Sequence, residues 1–334
     1  MRSNGSVGAV PLLEVRDLRV DFHQGRRVVR AVDGLSYTLR RGRTLALIGE
    51  SGSGKTVSSR AIMGLLPGSA SVTGSIRFDD REVVGLPEGE LRALRGCELA
   101  MVFQDPARSL NPTMKVGLQI AEAIHLHDDV PNARAHERAV ELMELVRLPD
   151  ARRRFSQYPH QLSGGMRQRV MIAIALAADP KLLIADEATS ALDVTTQAQI
   201  MELLGELKDR LGMALILISH DLGLAASFAD EVLVMYAGRA VEWAPTEKLF
   251  AQVRMQYTRA LLEAIPRIEN PSHGRLAAVP GQPPDLALKQ MGCPFTPRCP
   301  AATQQCRDYT PPFDEQEPEH RWACWHPVGV EARS

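Results

Sequence analysis

The stretch TLALIGESGSGKTVSSRAIMGLL, residues 44–66, constrains the fold more than any other part of the chain. TLALI is a short apolar run of the kind found in buried strands. The octapeptide GESGSGKT follows and fits the pattern G-x4-G-K-[ST]; VSSRAIMGLL then reads as a helix. Strand, glycine loop and helix in this order make a phosphate cradle. The glycines let backbone N–H groups curl round an anion, and the helix N-terminus adds a partial positive charge. The candidate cradle is Gly49, Glu50, Ser51, Gly52, Ser53, Gly54, Lys55, Thr56 and Val57. Lys55 would reach the β- and γ-phosphates, and the Thr56 hydroxyl would coordinate Mg²⁺.

A second segment supplies the other half of such a site. In KLLIADEATSALD, four apolar residues deliver Asp186 and Glu187 to the C-terminal end of a buried strand, where open α/β sheets bind ligands. Asp186 would hold Mg²⁺, and Glu187 would polarise an attacking water. An acidic pair at a strand end is often only solvated surface. Downstream of a glycine loop with Lys-Thr it points to a nucleoside triphosphate.

The remaining pattern is α/β with a mainly parallel sheet. ALILIS is a further buried strand, and TTQAQIMELLGELKDRLG is an amphipathic helix with Ile200, Leu203, Leu204, Leu207 and Leu211 on one face and Gly212 as its C-terminal cap. Before residue 44 the chain alternates apolar and polar around Gly25, Gly34 and Gly42, which predicts antiparallel strands and hairpins. Residues 107–160 carry helix-forming stretches with polar faces, a helical insertion. From Pro266 the composition changes: this last fifth holds twelve of the 22 prolines and two of the three tryptophans. The expected organisation is a domain over 12–265 and a small Pro-rich appendage over 266–334. Lys and Arg total 39 against 40 Asp and Glu, so no overall field favours a nucleic-acid partner. No export signal is visible and no apolar run nears the ~20 residues that span a bilayer. A cytosolic chain, or one held at a membrane by a partner, is expected.

Three more segments narrow the class. QLSGGMRQRV places Ser163, Gly164 and Gly165 before a long helix expected over Met166–Ala178, MVFQDP ends a strand at Gln104, and ILISHD ends another at His220. In this order and spacing the set resembles the ATP-binding subunits of ABC transporters, over about residues 12–262. The resemblance implies a P-loop fold with a mixed sheet, an antiparallel β subdomain and a helical subdomain. It also implies a head-to-tail dimer with ATP between two such domains. GESGSGKT would be the Walker A motif, Gln104 the Q-loop and a Mg²⁺ contact, LSGGM the signature and LLIADE Walker B. SALD, with Asp193, would be the D-loop and His220 the H-loop. Lys55, Gln104, Glu187 and His220 would be catalytic. Ser163, Gly164, Gly165 and Asp193 would meet the ATP of the partner domain. Phe22 is the candidate to stack on adenine, or is a core residue.

Cys293, Cys299, Cys306 and Cys324 follow C-x5-C-x6-C-x17-C, while the preceding 292 residues contain only Cys97, which reads as a core thiol. In a reducing compartment, clustered thiols point to a soft metal before disulfides. The spacing itself names no metal. VPGQPP with GCPFTPRCP, together with FQDPARSLNPTMKVG and YPHQLSGGMRQRVMIAIAL, resembles the ATPase subunits of oligopeptide and dipeptide importers. That resemblance implies a [4Fe-4S] cluster on the four cysteines, with zinc as the alternative, and makes Met166 ordinary. Trp322 and Trp325 would form an apolar shell around it. The implied partners are a second, different ATPase subunit, two transmembrane permease subunits and an extracytoplasmic peptide-binding protein. The implied location is the cytoplasmic face of the cell membrane. Another cargo such as nickel, or a soluble non-transport ATPase of the same class, is the alternative. The nickel type generally lacks the appendage, and the soluble types carry a coiled-coil insertion or two ATP domains.

Overall fold

The computed structural model describes residues 10–25, 27–189, 192–265, 279–288 and 290–329. Positions 190–191 of the SALD segment and 266–278 of the tail therefore lie outside the described residues. The chain divides into two compact units: one contains Arg40–Arg43 and Gly85–Ile218, the other Pro11–Leu39, Thr44–Val84 and the described residues from Ser219 onward.

In the second of these units, the alternating N-terminal sequence forms one long hairpin. Leu13–Gln24 pairs antiparallel with Arg27–Leu39 through a turn at Gly25, and Ala70–Phe78 and Arg81–Glu82 complete a four-stranded sheet. Gly34 does not turn the chain; it is an extra residue inside the second strand, at φ +78°. On the first strand, the buried positions switch from Leu13 and Val15 to Leu18 and Val20, odd to even. The switch lies at Asp17, which has φ +45°, where the pairing register shifts. One inserted residue sends every later side chain to the opposite face, and so keeps both halves of the strand on the core.

A mixed sheet in the same unit carries the phosphate loop. Thr44–Ile48, buried at all five positions, pairs parallel with Glu231–Tyr236, which pairs antiparallel with Arg239–Pro245. Two short strands from the C-terminal segment extend this sheet, His320–Trp322 beside Arg239–Pro245 and Asp314–Glu317 beyond it. The Pro-rich composition hides these strands. A fully buried pair fastens them: Glu242 Oε1 accepts from His320 Nε2 at 2.9 Å and from the Arg254 amide at 2.7 Å, and Oε2 accepts from the Met255 amide at 3.2 Å.

The unit around Gly85–Ile218 is built on parallel strands Leu99–Val102, Leu182–Asp186 and Ala214–Ser219. Every residue of the first two is buried, which is why those runs are unbroken by polar residues. Val194–Leu211 is the expected amphipathic helix, with Gly212 at φ +65° as its cap and Ile200, Leu203, Leu204 and Leu207 buried; Leu211 is only half-buried, in the last turn. The helical insertion appears as Pro106–Ser109, Val116–His125, Asn132–Leu145 and Ala151–Arg154. The ring of Phe155 lies against Gly117, where a Cβ would approach it to 2.2 Å. No helix among the described residues is long and apolar enough to cross a membrane.

The Glu242 cluster yields a stability prediction. Glu242→Ala leaves three buried donors without their acceptor, and breaking a buried pair from one side costs roughly 3–5 kcal/mol. The expected result is a lower urea midpoint at unchanged slope, with earlier proteolysis of the C-terminal strands. An unchanged midpoint would show that the pair does not fasten the tail.

Candidate nucleotide site

The expected cradle is a sharp loop between the strand ending at Ile48 and the helix Lys55–Ile62. Two glycines permit its path. A Cβ on Gly49 would lie 2.3 Å from the Met235 carbonyl oxygen, and one on Gly54, at φ +100°, would lie 2.4 Å from that of Ala31. The helix has no side-chain cap at Gly54, so its first N–H groups point into the loop, as an anion site requires. Lys55 is 4% exposed and donates to Gly49 O at 2.7 Å, Glu50 O at 2.9 Å and Ser53 Oγ at 3.3 Å. Ser51 and Gly52 are exposed at the loop's tip, Ser53 is buried, and Thr56 and Val57 are half-buried in the first helical turn. Phe22 is half-buried on the first strand, and His220 is exposed after the strand Ala214–Ser219.

The other unit brings together a second group of expected residues. Asp186 is 2% exposed as the last residue of its strand. Glu187 follows in a left-handed conformation, φ +46°, which turns its side chain out of the strand. Such backbone is uncommon outside glycine and concentrates at functional sites. Gln104 Nε2 donates to Glu187 Oε2 at 2.6 Å.

Ser163 caps the helix Gly164–Ala175, which starts two residues before the expected Met166 and ends three before Ala178. Its hydroxyl accepts from the Met166 amide at 3.3 Å. Asp193 caps Val194–Leu211, accepting from the Thr196 amide at 2.9 Å and the Thr196 hydroxyl at 2.8 Å; these bonds hold its carboxyl below the usual range. The two helix starts touch. A Cβ on Gly165 would lie 2.6 Å from Thr196 Cγ2, and one on Gly164 would lie 3.3 Å from Leu192. A cavity of about 90 Å³ is lined by Gln104, Gly164, Ala188 and Leu192 among others. Gln104, the start of the Gly164 helix and the residues after Glu187 thus share one pocket.

Comparison with known proteins decides the family. Residues 32–190 match the ABC transporter family, and residues 241–306 match the oligopeptide/dipeptide transporter C-terminal region. The chain is 49% identical over 317 residues to the oligopeptide transport ATP-binding protein OppD of Salmonella typhimurium, covering 95% of this chain and 94% of that protein. The same figures hold for OppD of Escherichia coli. This chain belongs to the ABC transporter ATPases of the oligopeptide/dipeptide type. Among solved structures it resembles the dimeric ATP-binding cassette MJ0796 bound to ADP and Pi, at TM-score 0.63 and 26% identity, over 70% of this chain and 98% of that one.

The ATPase also carries site residues that its sequence did not disclose. Arg298, in the C-terminal segment, donates from Nη1 and Nη2 to both carboxylate oxygens of Glu50, at 2.6 and 2.9 Å. The Tyr257 hydroxyl accepts from the Glu50 amide at 2.9 Å; burial pushes that phenol up, so it stays neutral. An Arg amid prolines and cysteines, and a Tyr opening the helix Gln256–Glu263, carry no motif that would mark them.

The four cysteines of the tail lie within one another's electrostatic reach: Cys293 with Cys306, Cys299 with both, and Cys324 with Cys293 and Cys299. Backbone N–H groups of Phe295 and Thr296 point at Cys293, that of Ala301 at Cys299, and those of His326 and Gln256 at Cys324. Burial pushes the Cys293, Cys299 and Cys324 thiols up, the last to about 11. Among the described residues, however, no group of three or more His, Cys, Asp or Glu side chains has the spacing of a metal site. The expectation of a preformed ligand set is thus not met. Trp322 is buried with its ring against His320 and Arg254, whereas Trp325 is half-buried with its indole N–H on the Tyr309 carbonyl at 3.0 Å. Cys97 is not a core thiol either; it is half-buried, with Sγ 3.1 Å from His127 Nδ1.

Contact between the two helix starts yields a second prediction. Gly165→Ala drives a methyl into Thr196 and should cost about 1–3 kcal/mol, the usual range for a local overpacking. Thr196→Ser removes Cγ2 while keeping the hydroxyl on Asp193, so the double variant should recover most of the lost thermal midpoint. No recovery would mean that the signature glycine is not limited by this contact.

Proposed function

We propose that this ATPase binds ATP between two ATP-binding subunits and couples its hydrolysis to uptake of di- and oligopeptides through a membrane permease. Peptide cargo rests on one observation above the others: residues 241–306 match the C-terminal region of oligopeptide/dipeptide transporters. Relatives named for oligopeptide transport over nearly the whole chain support it.

In this reading the Gly49–Val57 loop wraps the phosphates and Lys55 balances their charge. Thr56, Gln104 and Asp186 would hold Mg²⁺, which supplies charge neutralisation on the phosphate oxygens. The Gln104 amide suits two roles at once, because its N–H donates to Glu187 while its carbonyl oxygen remains an acceptor for a cation. Glu187 orients and polarises the attacking water, and His220 completes the catalytic set. Ser163, Gly164 and Gly165, with Asp193 beside them, meet the ATP held by the partner subunit; likeness to a dimeric cassette supports that pairing. Phe22 stacks on the adenine. We read the partner as a second, different ATPase subunit. Two permease subunits and an extracytoplasmic peptide-binding protein complete the importer, with this chain on the cytoplasmic face of the cell membrane.

The 12–265 segment forms the ATP-binding domain in this reading, with 107–160 as its helical subdomain and 266–334 as its C-terminal extension. The extension's four cysteines are the ligand set for a [4Fe-4S] cluster, zinc being the alternative. In support, the four cysteines gather in the extension, where backbone N–H groups aimed at three of the sulfurs partly offset the burial that favours the neutral thiols. The sulfurs must draw closer than their present spacing to share a metal.

Two measurements test these readings. Glu187→Gln should bind ATP within about threefold of the parent while its turnover falls at least about 100-fold, the lower end of the range for loss of a general base. Turnover at the parent rate would remove Glu187 from the mechanism. Protein purified without oxygen should contain iron and acid-labile sulfide in equal amounts, about four of each per chain. Stoichiometric zinc without iron would replace the cluster by the alternative, and absence of both would leave the sulfurs as buried thiols.

A further inference from the structure

Arg298 is the most completely engaged side chain in the C-terminal segment. A guanidinium has five N–H donors, and here every one has an acceptor. Nε donates to the Pro280 carbonyl at 2.7 Å and Nη2 to the Val279 carbonyl at 3.1 Å. Nη1 donates to the Tyr236 hydroxyl at 3.3 Å, and the two remaining donors take the Glu50 carboxylate. The side chain is 3% exposed and lies near the rings of Phe295 and Tyr236, at 5.9 and 5.8 Å. Tyr236, Tyr257 and Phe295 pack against each other, with centroids 4.5 to 5.4 Å apart. The guanidinium is thus fixed by carbonyls and rings, and presents its fork to a single flexible group.

That group belongs to the phosphate loop. Glu50 is the second residue of GESGSGKT, and each of its polar groups is held: the amide by Tyr257, the carbonyl by Lys55, the carboxylate by Arg298. The lysine that reaches for phosphate and the arginine of the tail therefore grip the same residue. A loop rich in glycine has many conformations to lose when it closes on an anion. Fixing one of its residues beforehand lowers that cost.

We propose that Arg298 is a positioning residue for ATP binding, through which the C-terminal segment pre-forms the phosphate loop by clamping Glu50. It rests on the reading of Gly49–Thr56 as the ATP site. Arg298 touches no reacting atom; it acts through Glu50. The loop cradles the phosphates in ground state and transition state alike, so the clamp acts on KM more than on kcat. Only the planar fork serves: a lysine keeps the charge but cannot span both carboxylate oxygens and the two carbonyls.

The test is steady-state ATP hydrolysis by the full-length chain carrying Arg298→Lys, Arg298→Gln, Glu50→Gln, the Glu50→Gln/Arg298→Gln double change, or Lys55→Ala. Each single change at the clamp should raise KM for ATP about tenfold and leave kcat within about twofold, the signature of lost uniform binding. The double variant should be no worse than the poorer single one, because residues that act through each other are not additive. Unchanged KM, additive effects, or a fall in kcat at constant KM would overturn the clamp. Arg298→Gln removes a buried charge and is checked for folding by thermal melting. Glu50→Gln leaves the Arg298 charge buried without its counter-ion and is checked in the same way; the double change removes both charges together, and its KM decides the matter if a single variant does not fold. Lys55→Ala separates the two levels: loss of ATP binding there, with normal KM in the clamp variants, overturns the clamp alone. Retained ATP binding in Lys55→Ala overturns the ATP-site reading and the clamp with it.

Discussion

The structure turns on how the chain passes from Ile48 to Lys55. A fully buried strand must end, reverse its curvature and enter a helix within six residues, and it does so against the backbones of Ala31 and Met235 with no room for a Cβ at Gly49 or Gly54. The Lys55 ammonium then folds back on the carbonyls of Gly49 and Glu50. A buried cation needs acceptors, and the loop supplies them from its own backbone. The same geometry leaves the N–H groups of the loop and first helical turn facing inward, so anion binding follows from how the strand is terminated. The Gly238 amide, donating to the Ser53 carbonyl at 3.0 Å, ties the loop to the turn after Glu231–Tyr236.

The acidic pair shows how neighbouring residues acquire different work. Asp186 ends a strand and is sealed by it, while Glu187 leaves the strand through a left-handed backbone and reaches the amide of Gln104. Strain of this kind persists only where surrounding structure enforces it; here the Glu187 amide is still bonded to the Ile218 carbonyl of the next strand, at 3.1 Å. The backbone is thus anchored at the residue whose side chain is turned away. A carboxylate in reach of an amide donor keeps its lone pairs directed, as a group that orients a water must.

Much of this was legible because it rests on local pattern. Unbroken apolar runs named the strands Thr44–Ile48, Leu182–Asp186 and Ala214–Ser219, buried on both faces, and Gly212 ended its helix where a left-handed residue was needed. Asp193 and Ser163 were legible as positions, but their capping bonds were not, nor was the contact of Gly165 with Thr196, because thirty residues of chain separate those helix starts. The bulges at Asp17 and Gly34 escaped for another reason: a change of parity in an alternating pattern looks like noise until the pairing register is known. The tail's attachment to the sheet escaped because proline counts measure what a segment cannot form. The short strands Asp314–Glu317 and His320–Trp322 need only a free sheet edge and one buried Glu242–His320 bond.

The tail's cysteines and its arginine are parts of one turn. The Cys293 amide donates to the Cys306 carbonyl at 2.7 Å, the Thr296 amide to the Cys293 carbonyl at 3.0 Å, and the Thr296 hydroxyl to the Cys306 carbonyl at 3.0 Å. Thr296–Arg298 is the short helix that these bonds frame, and Cys299 closes it with a bond back to Thr296. Gly292 sits at φ +68° with no space for a side chain, 2.3 Å from the Cys306 and Arg307 carbonyls at its would-be Cβ, so the two cysteine-bearing strands of the loop are pressed backbone to backbone. Arg298 leaves this frame from its last residue and enters the phosphate loop's second. The backbones of Cys293 and Cys306 are the struts of this frame, so the turn that carries three of the cysteines also sets the position from which one guanidinium holds the cradle's second residue.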